Sequence, residues 1–173
     1  LSTNVAEHTE TMSMNNGLTY TITLSGFDLA GNTGTTILSG VTFDNSSDSL
    51  TVIEPSSGDF VNSNTLVYSV NEILSGGTIF VSENGGSVTE IELSTNLGIG
   101  EYTQELSLND GSTYDITISG IDLAGNTDIE TITGLTYDIT SPEFTVTEPL
   151  SNNFVNSTSL IYSVNEILSG GTI

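Results

Sequence analysis

The sequence contains no lysine and no arginine, against 22 aspartates and glutamates and a single histidine, for a formal charge of −22. This nearly excludes nucleic-acid binding, because nothing is present to neutralise phosphate. Direct adhesion to an anionic membrane is excluded for the same reason. Internal salt bridges from Lys or Arg are excluded too, so self-repulsion opposes compaction unless cations from solution offset it. Cysteine is absent, which removes any disulfide staple, and the missing lysine removes any Lys–Asn isopeptide cross-link. No initiator Met, signal peptide or transmembrane run is visible, as expected of a window from a longer polypeptide.

What is present argues against disorder. Hydrophobic residues make up 35% of the chain and prolines number only three. Runs of Thr, Ile, Val and Tyr recur, which suits a folded sheet protein. The segment YSVNEILSGGTI occurs twice, at Tyr68–Ile79 and Tyr162–Ile173. Thr19–Ile79 aligns with Thr113–Ile173 at a constant offset of 94, with 38 of 61 positions identical. A repeat of this length is a whole domain, longer than a solenoid unit. The phase predicts one complete domain at 46–140, between the C-terminal part of another at 1–45 and the N-terminal part of a third at 141–173.

Helical periodicity is hard to find. Segments of 5–9 residues alternate with clusters of Gly, Asn, Asp and Ser, the pattern of an all-β sandwich. Within 46–140 the pattern predicts strands at Leu50–Glu54, Thr65–Val70, from Thr78 through Phe80, Val88–Leu93, Tyr102–Leu108, Tyr114–Ser119 and Asp128–Asp138. SSGDFVNSN, NEILSGG, ENGGS and DLAGNT are predicted as turns or loops. Leu66, Tyr68 and Val70 share one face by the two-residue period. About seven short strands per domain fit an immunoglobulin-like sandwich. Tyr114 follows the turn Asn109-Asp110-Gly111, and Tyr20 repeats that placement. A tyrosine there is expected to close a corner by bonding nearby backbone.

These features resemble the tandem bacterial Ig-like repeats of very large surface proteins and adhesins. The resemblance rests on Tyr114–Gly120, on DLAGN at Asp122–Asn126, on Tyr137–Pro142, and on the L-x-Y-S-V-x-E pattern at Leu66–Glu72 and Leu160–Glu166. It covers essentially the whole chain. One departure is the linker at Phe43–Asp48, which lacks the proline found at Pro142. The resemblance implies tandem immunoglobulin-like β-sandwiches in an extracellular stalk or filament at the cell surface. It also implies Ca²⁺ at or near the domain junctions.

In an Ig topology the second-to-third-strand loop and the last hairpin lie at the end where the chain enters. Asn71 and Glu72 from the first, Asp122 and Asn126 from the second, and Asp44 and Asp48 from the linker would meet there. At the next junction Asp138 would meet Asn165 and Glu166, and the first repeat offers Asp28 and Asn32. Hard oxygen ligands of this kind suit Ca²⁺, although the spacing is neither an EF-hand nor an RTX nonapeptide. Turn chemistry is the competing explanation of DLAGNT. The pairs Asp28/Asp122, Asp44/Asp138, Glu54/Glu148 and Glu72/Glu166 persist between copies, while most other acidic positions change.

No catalytic constellation is predicted. His8 stands alone, and no nucleophile elbow is present. Asn45-Ser46-Ser47 and Asn156-Ser157-Thr158 match the glycosylation pattern, which arises often by chance in such a composition. The expected function is a non-enzymatic structural array whose partners are neighbouring repeats and calcium ions. Two alternatives are a filament or surface-layer subunit that contacts other copies laterally or by strand exchange, and a glycan- or ice-binding adhesive module.

Overall fold

The computed structural model describes residues 4–47 and 50–173. Twelve strands are formed among the described residues: β1 (Leu18–Phe27), β2 (Thr33–Phe43), β3 (Leu50–Glu54), β4 (Phe60–Val61), β5 (Thr65–Val70), β6 (Leu74–Glu83), β7 (Val88–Glu92), β8 (Gly100–Glu105), β9 (Ser112–Asp122), β10 (Thr127–Tyr137), β11 (Phe144–Glu148) and β12 (Ile161–Val164). The protein is all-β. Strands β3 to β10 make two sheets, one ordered β3-β5-β8 and the other β4-β10-β9-β6-β7. Their inner faces enclose one core, the arrangement of an immunoglobulin-like sandwich.

Strand β9 shows how the sequence builds this core. Its side chains alternate faces, so Tyr114, Ile116, Ile118, Gly120 and Asp122 all point inward and are buried. Burying each of the large apolar members contributes about 1.5–3 kcal/mol. Facing them across the sandwich are Leu66, Tyr68 and Val70 of β5 and Leu50 of β3. Gly120 holds an inward position without a side chain. A Cβ there would lie 2.9 Å from Leu50 Cδ1 and 3.1 Å from Leu74 Cδ1, so the glycine provides the space these two leucines fill.

The remaining strands form two separate ribbons, β1–β2 and β11–β12. By the 94-residue offset β1–β2 corresponds to β9–β10, and β11–β12 corresponds to β3 with the second part of β5. Their inward positions are more open than in the central sandwich: Tyr20, Ile22 and Val164 are half-buried, and others are exposed. Leu24, the counterpart of Ile118, is 52% exposed against 1%.

The expected strands are present, with four differences. NEILSGG is not all loop: β6 begins at Leu74, whose N–H donates to Leu97 O at 3.0 Å. SSGDFVNSN contains β4, which runs parallel to β10, so residues 46–140 hold eight strands rather than seven. Leu106–Leu108 lies beyond the end of β8. Asp122 and Thr127 belong to β9 and β10, which shortens the DLAGNT turn to 123–126.

The tyrosine corner forms in both copies. Asn109 N–H donates to Tyr114 Oη at 2.7 Å, and Asn15 N–H to Tyr20 Oη at 2.6 Å. Tyr114 is buried, so Tyr114→Phe strands the Asn109 donor. That substitution should lower stability by about 1 kcal/mol in urea unfolding. Tyr20→Phe, at a half-buried site, should cost less.

Candidate metal centre

Three carboxylates from three separate segments meet at one end of the sandwich. Asp122 arrives as the last inward-facing residue of β9. Glu72 comes from the short β5–β6 connection, and Asp44 from the linker after β2. One oxygen from each lies within 4.8 Å of the others. Two oxygens that each sit about 2.4 Å from one ion can be no more than about 4.8 Å apart, so this group satisfies the geometric limit for Ca²⁺.

Local hydrogen bonds hold the group in place. Asp122 Oδ1 accepts from Ala124 N–H at 2.8 Å and Asn126 N–H at 2.9 Å, and Oδ2 accepts from Asn126 Nδ2 at 2.8 Å. Asn126 Nδ2 also donates to Asp44 O at 3.2 Å, which ties the linker to the β9–β10 turn. Asp44 Oδ1 accepts from Ser46 N–H and Oγ. Turn chemistry and carboxylate clustering therefore operate in the same motif.

The electrostatics of the three groups differ. Burial disfavours charge on Asp122, but the donors of Asn126, Ala124 and Gly125 outweigh it and hold the carboxyl below its usual range. Glu72 is raised: burial pushes it up, and so do the charges of Asp44, Asp122 and Asp128. A protein without Lys or Arg has no internal strong cation to relieve that repulsion.

The donor set is all oxygen. There is no cysteine, and His8 is not among the three, so the group favours a hard cation such as Ca²⁺ over a thiophilic or imidazole-seeking metal. Three carboxylates supply at most six oxygens, and backbone carbonyls or water would complete a shell of 6–8.

The structure gathers only some of the residues expected here. Asp44, Glu72 and Asp122 converge, and Asn126 acts as a donor beside them. Asn71 is exposed, and its Nδ2 donates to Thr51 Oγ1 at 3.4 Å. Asp48 lies outside the described residues. In the first repeat Asp28 Oδ2 accepts from Asn32 Nδ2 at 2.8 Å, the same turn as at Asp122, but exposed. Of the residues expected at the next junction, Asp138 Oδ1 accepts from Thr140 N–H, and Asn165 Oδ1 from Glu143 N–H at 2.7 Å. Glu166 Oε1 is a buried oxygen without a hydrogen-bond partner. Asp128 was not anticipated: its Oδ2 accepts from Leu50 N–H at 2.8 Å, and its charge adds to the field on Glu72. Its counterpart in the first repeat is Gly34, so comparison of the copies carried no signal for it.

No protein-family model matches the chain, and no curated protein matches it. A solved structure of a Ca²⁺-stabilized adhesin that helps an Antarctic bacterium reach out and bind ice is similar at 23% identity and a TM-score of 0.31. The match covers 74% of this chain and 34% of that one. The match thus spans about a third of the length of that solved chain.

The raised Glu72 gives a test whose sign depends on the ion. A folded-state value above the unfolded one imposes a penalty at neutral pH, relieved as pH falls through the raised value. Glu72→Gln should therefore raise the melting temperature in chelator. With calcium added it should remove a ligand, weakening binding and shrinking the calcium-induced rise in melting temperature. Calorimetric melts of both proteins in the two buffers check this.

Proposed function

We propose that this chain is a non-enzymatic structural repeat of an extracellular adhesin-type stalk or fibre, and that Ca²⁺ held by Asp44, Glu72 and Asp122 fixes each linker against the following sandwich. One observation carries the reading. Carboxylates from the linker, the β5–β6 connection and β9 meet at the point where the chain enters the sandwich, in a protein without Lys or Arg to hold them together. A divalent cation there neutralises the repulsion and couples the linker to the fold. The linker can then no longer pivot freely, and repulsion between neighbouring acidic sandwiches favours an extended array. The absence of Lys and Arg also removes every trypsin-type cleavage site, which suits an exposed fibre. The domain boundaries at residues 46 and 140 belong to this proposal, as does a cell-surface location.

Calcium should raise the melting temperature and narrow the distribution of shapes seen by small-angle scattering, and chelation should reverse both. Profiles and melts that do not respond to calcium would sink the reading. Asp122→Asn should weaken calcium binding at least about tenfold, a loss of about 1.4 kcal/mol. Asp115→Asn, on the outer face of β9, should leave affinity unchanged. Titration calorimetry separates the two, and equal effects would remove Asp122 from the ligand set.

A further inference from the structure

The linker after β2 is held from both sides at a single peptide group. Gly17 N–H donates to Phe43 O at 2.8 Å, at the open end of the β1–β2 ribbon. Two residues on, Asn45 N–H donates to Asn16 Oδ1 at 2.7 Å. The carbonyl of that same peptide, Asp44 O, accepts from Asn126 Nδ2 at 3.2 Å. Asn16 precedes β1 in the first repeat, whereas Asn126 sits in the β9–β10 turn of the central sandwich. In a planar trans peptide the N–H and C=O point in opposite directions. One rigid group is thus gripped by a different repeat on each side.

The grip on the N–H side recurs at the end of the central sandwich. Gly111 N–H donates to Tyr137 O at 2.8 Å, and Ile139 N–H donates to Asp110 Oδ1 at 2.8 Å. Positions 110 and 139 are the counterparts of 16 and 45 at the 94-residue offset. Asn16 becomes Asp110 and Asn45 becomes Ile139, yet the acceptor oxygen and the bonded amide are kept. Ordinary turn chemistry bonds a side chain to backbone two or so residues away. Here it reaches 29 residues along the chain, to the second residue beyond the last strand of the repeat. The neighbouring hydroxyl is used differently in the two copies. Thr140 Oγ1 donates to Asp110 Oδ2 at 2.6 Å, while its counterpart Ser46 Oγ donates to Asp44 Oδ1 at 3.0 Å. In the first copy the hydroxyl braces the cluster carboxylate, and in the second it braces the residue that grips the linker.

We propose that Asn16 is a latch residue: it holds the Asp44–Asn45 peptide to the first repeat while Asn126 holds it to the central sandwich, so the linker is a rigid joint before any cation binds. Asp110 holds the segment leaving the central sandwich by the same bond. A consequence for calcium rests on the reading given under Proposed function. The peptides on both sides of Asp44 are anchored, through Phe43 O and Asn45 N–H. Its carboxylate therefore meets Glu72 and Asp122 from a place set by the first repeat, and Asn16 is a positioning residue for the site. Asn126 alone would tie the linker to the central sandwich and leave the first repeat to swing about it. With Asn16 engaged, a cation at the cluster couples one repeat to the next through a chain of fixed groups.

The 173-residue chain tests this by NMR and titration calorimetry. In chelator, Asn16→Ala should speed hydrogen exchange at the Asn45 amide at least about tenfold. It should also shrink the residual dipolar couplings of β1–β2 relative to those of β3–β10. Asn16→Asp supplies the acceptor that Asp110 uses and should retain the wild-type values of both. Asn15→Ala leaves the latch bond in place and should change neither. Asp110→Ala should speed exchange at the Ile139 amide by a similar factor. With calcium, Asn16→Ala should weaken binding about three- to tenfold although it removes no ligand, and Asn16→Asp should restore it. A wild-type Asn45 amide that exchanges as fast as an unstructured chain overturns the latch, as do unchanged exchange and couplings in Asn16→Ala. A loss of protection with calcium affinity unchanged overturns the positioning role. A wild-type chain that binds no calcium, yet shows the protected amide and one common alignment, supports the latch and overturns the calcium reading.

Discussion

The acidic cluster depends on the parity of one strand. β9 places every second residue in the core from Tyr114 onward, and the same count that buries Ile116 and Ile118 brings Asp122 to the inward side at the strand's last position. A carboxylate at that place is desolvated by the fold and held by the turn that follows. It is therefore rigid, charged and next to the incoming linker. Shifting the register of β9 by one residue would turn Tyr114 outward and remove Asp122 from Glu72 and Asp44 in the same step. The hydrophobic core and the acidic cluster are thus two readings of one alternation.

The absence of basic residues gives that cluster its character. In a chain of mixed charge, a buried aspartate beside a glutamate is commonly met by Arg or Lys. Here the donors to the Asp122 carboxylate among the described residues are amides. Amides stabilise charge without neutralising it, so the field from Asp122 still reaches Glu72, where it combines with Asp44 and Asp128. A proton or an external cation must resolve that field, and each would leave the linker differently attached.

The fold was largely legible because strands with one buried face declare themselves. β3 and β5 lie where the pattern places them, and the tyrosine corner follows from its spacing to the turn. Legibility failed where glycine carried two meanings. Ser75-Gly76-Gly77 has loop composition, yet Gly77 lies inside β6 because only glycine allows that strand to approach Ser119 closely. The composition of DLAGNT assigns Asp122 to the turn, whereas counting by twos from Tyr114 puts it inward. Asn71 and Asn165 carry ligand-type side chains but bond Thr51 Oγ1 and the Glu143 N–H, partners 20 and 22 residues away that composition does not reveal. Asp128 was hidden because it sits within a strand and has no acidic counterpart in the other copy.

The pairing of β4 with β10 has a mechanical consequence. β4 follows the first strand of the sandwich and β10 is its last, and the two run parallel. Between them Gly58 N–H donates to Thr133 O, Thr136 N–H to Asp59 O and Asp138 N–H to Val61 O, each at 2.9 Å. Tension drawing the two ends of the sandwich apart slides these segments past each other lengthwise, so the three bonds share the load and yield together instead of opening one after another. A two-residue strand that adds little to the core becomes a clasp against stretching.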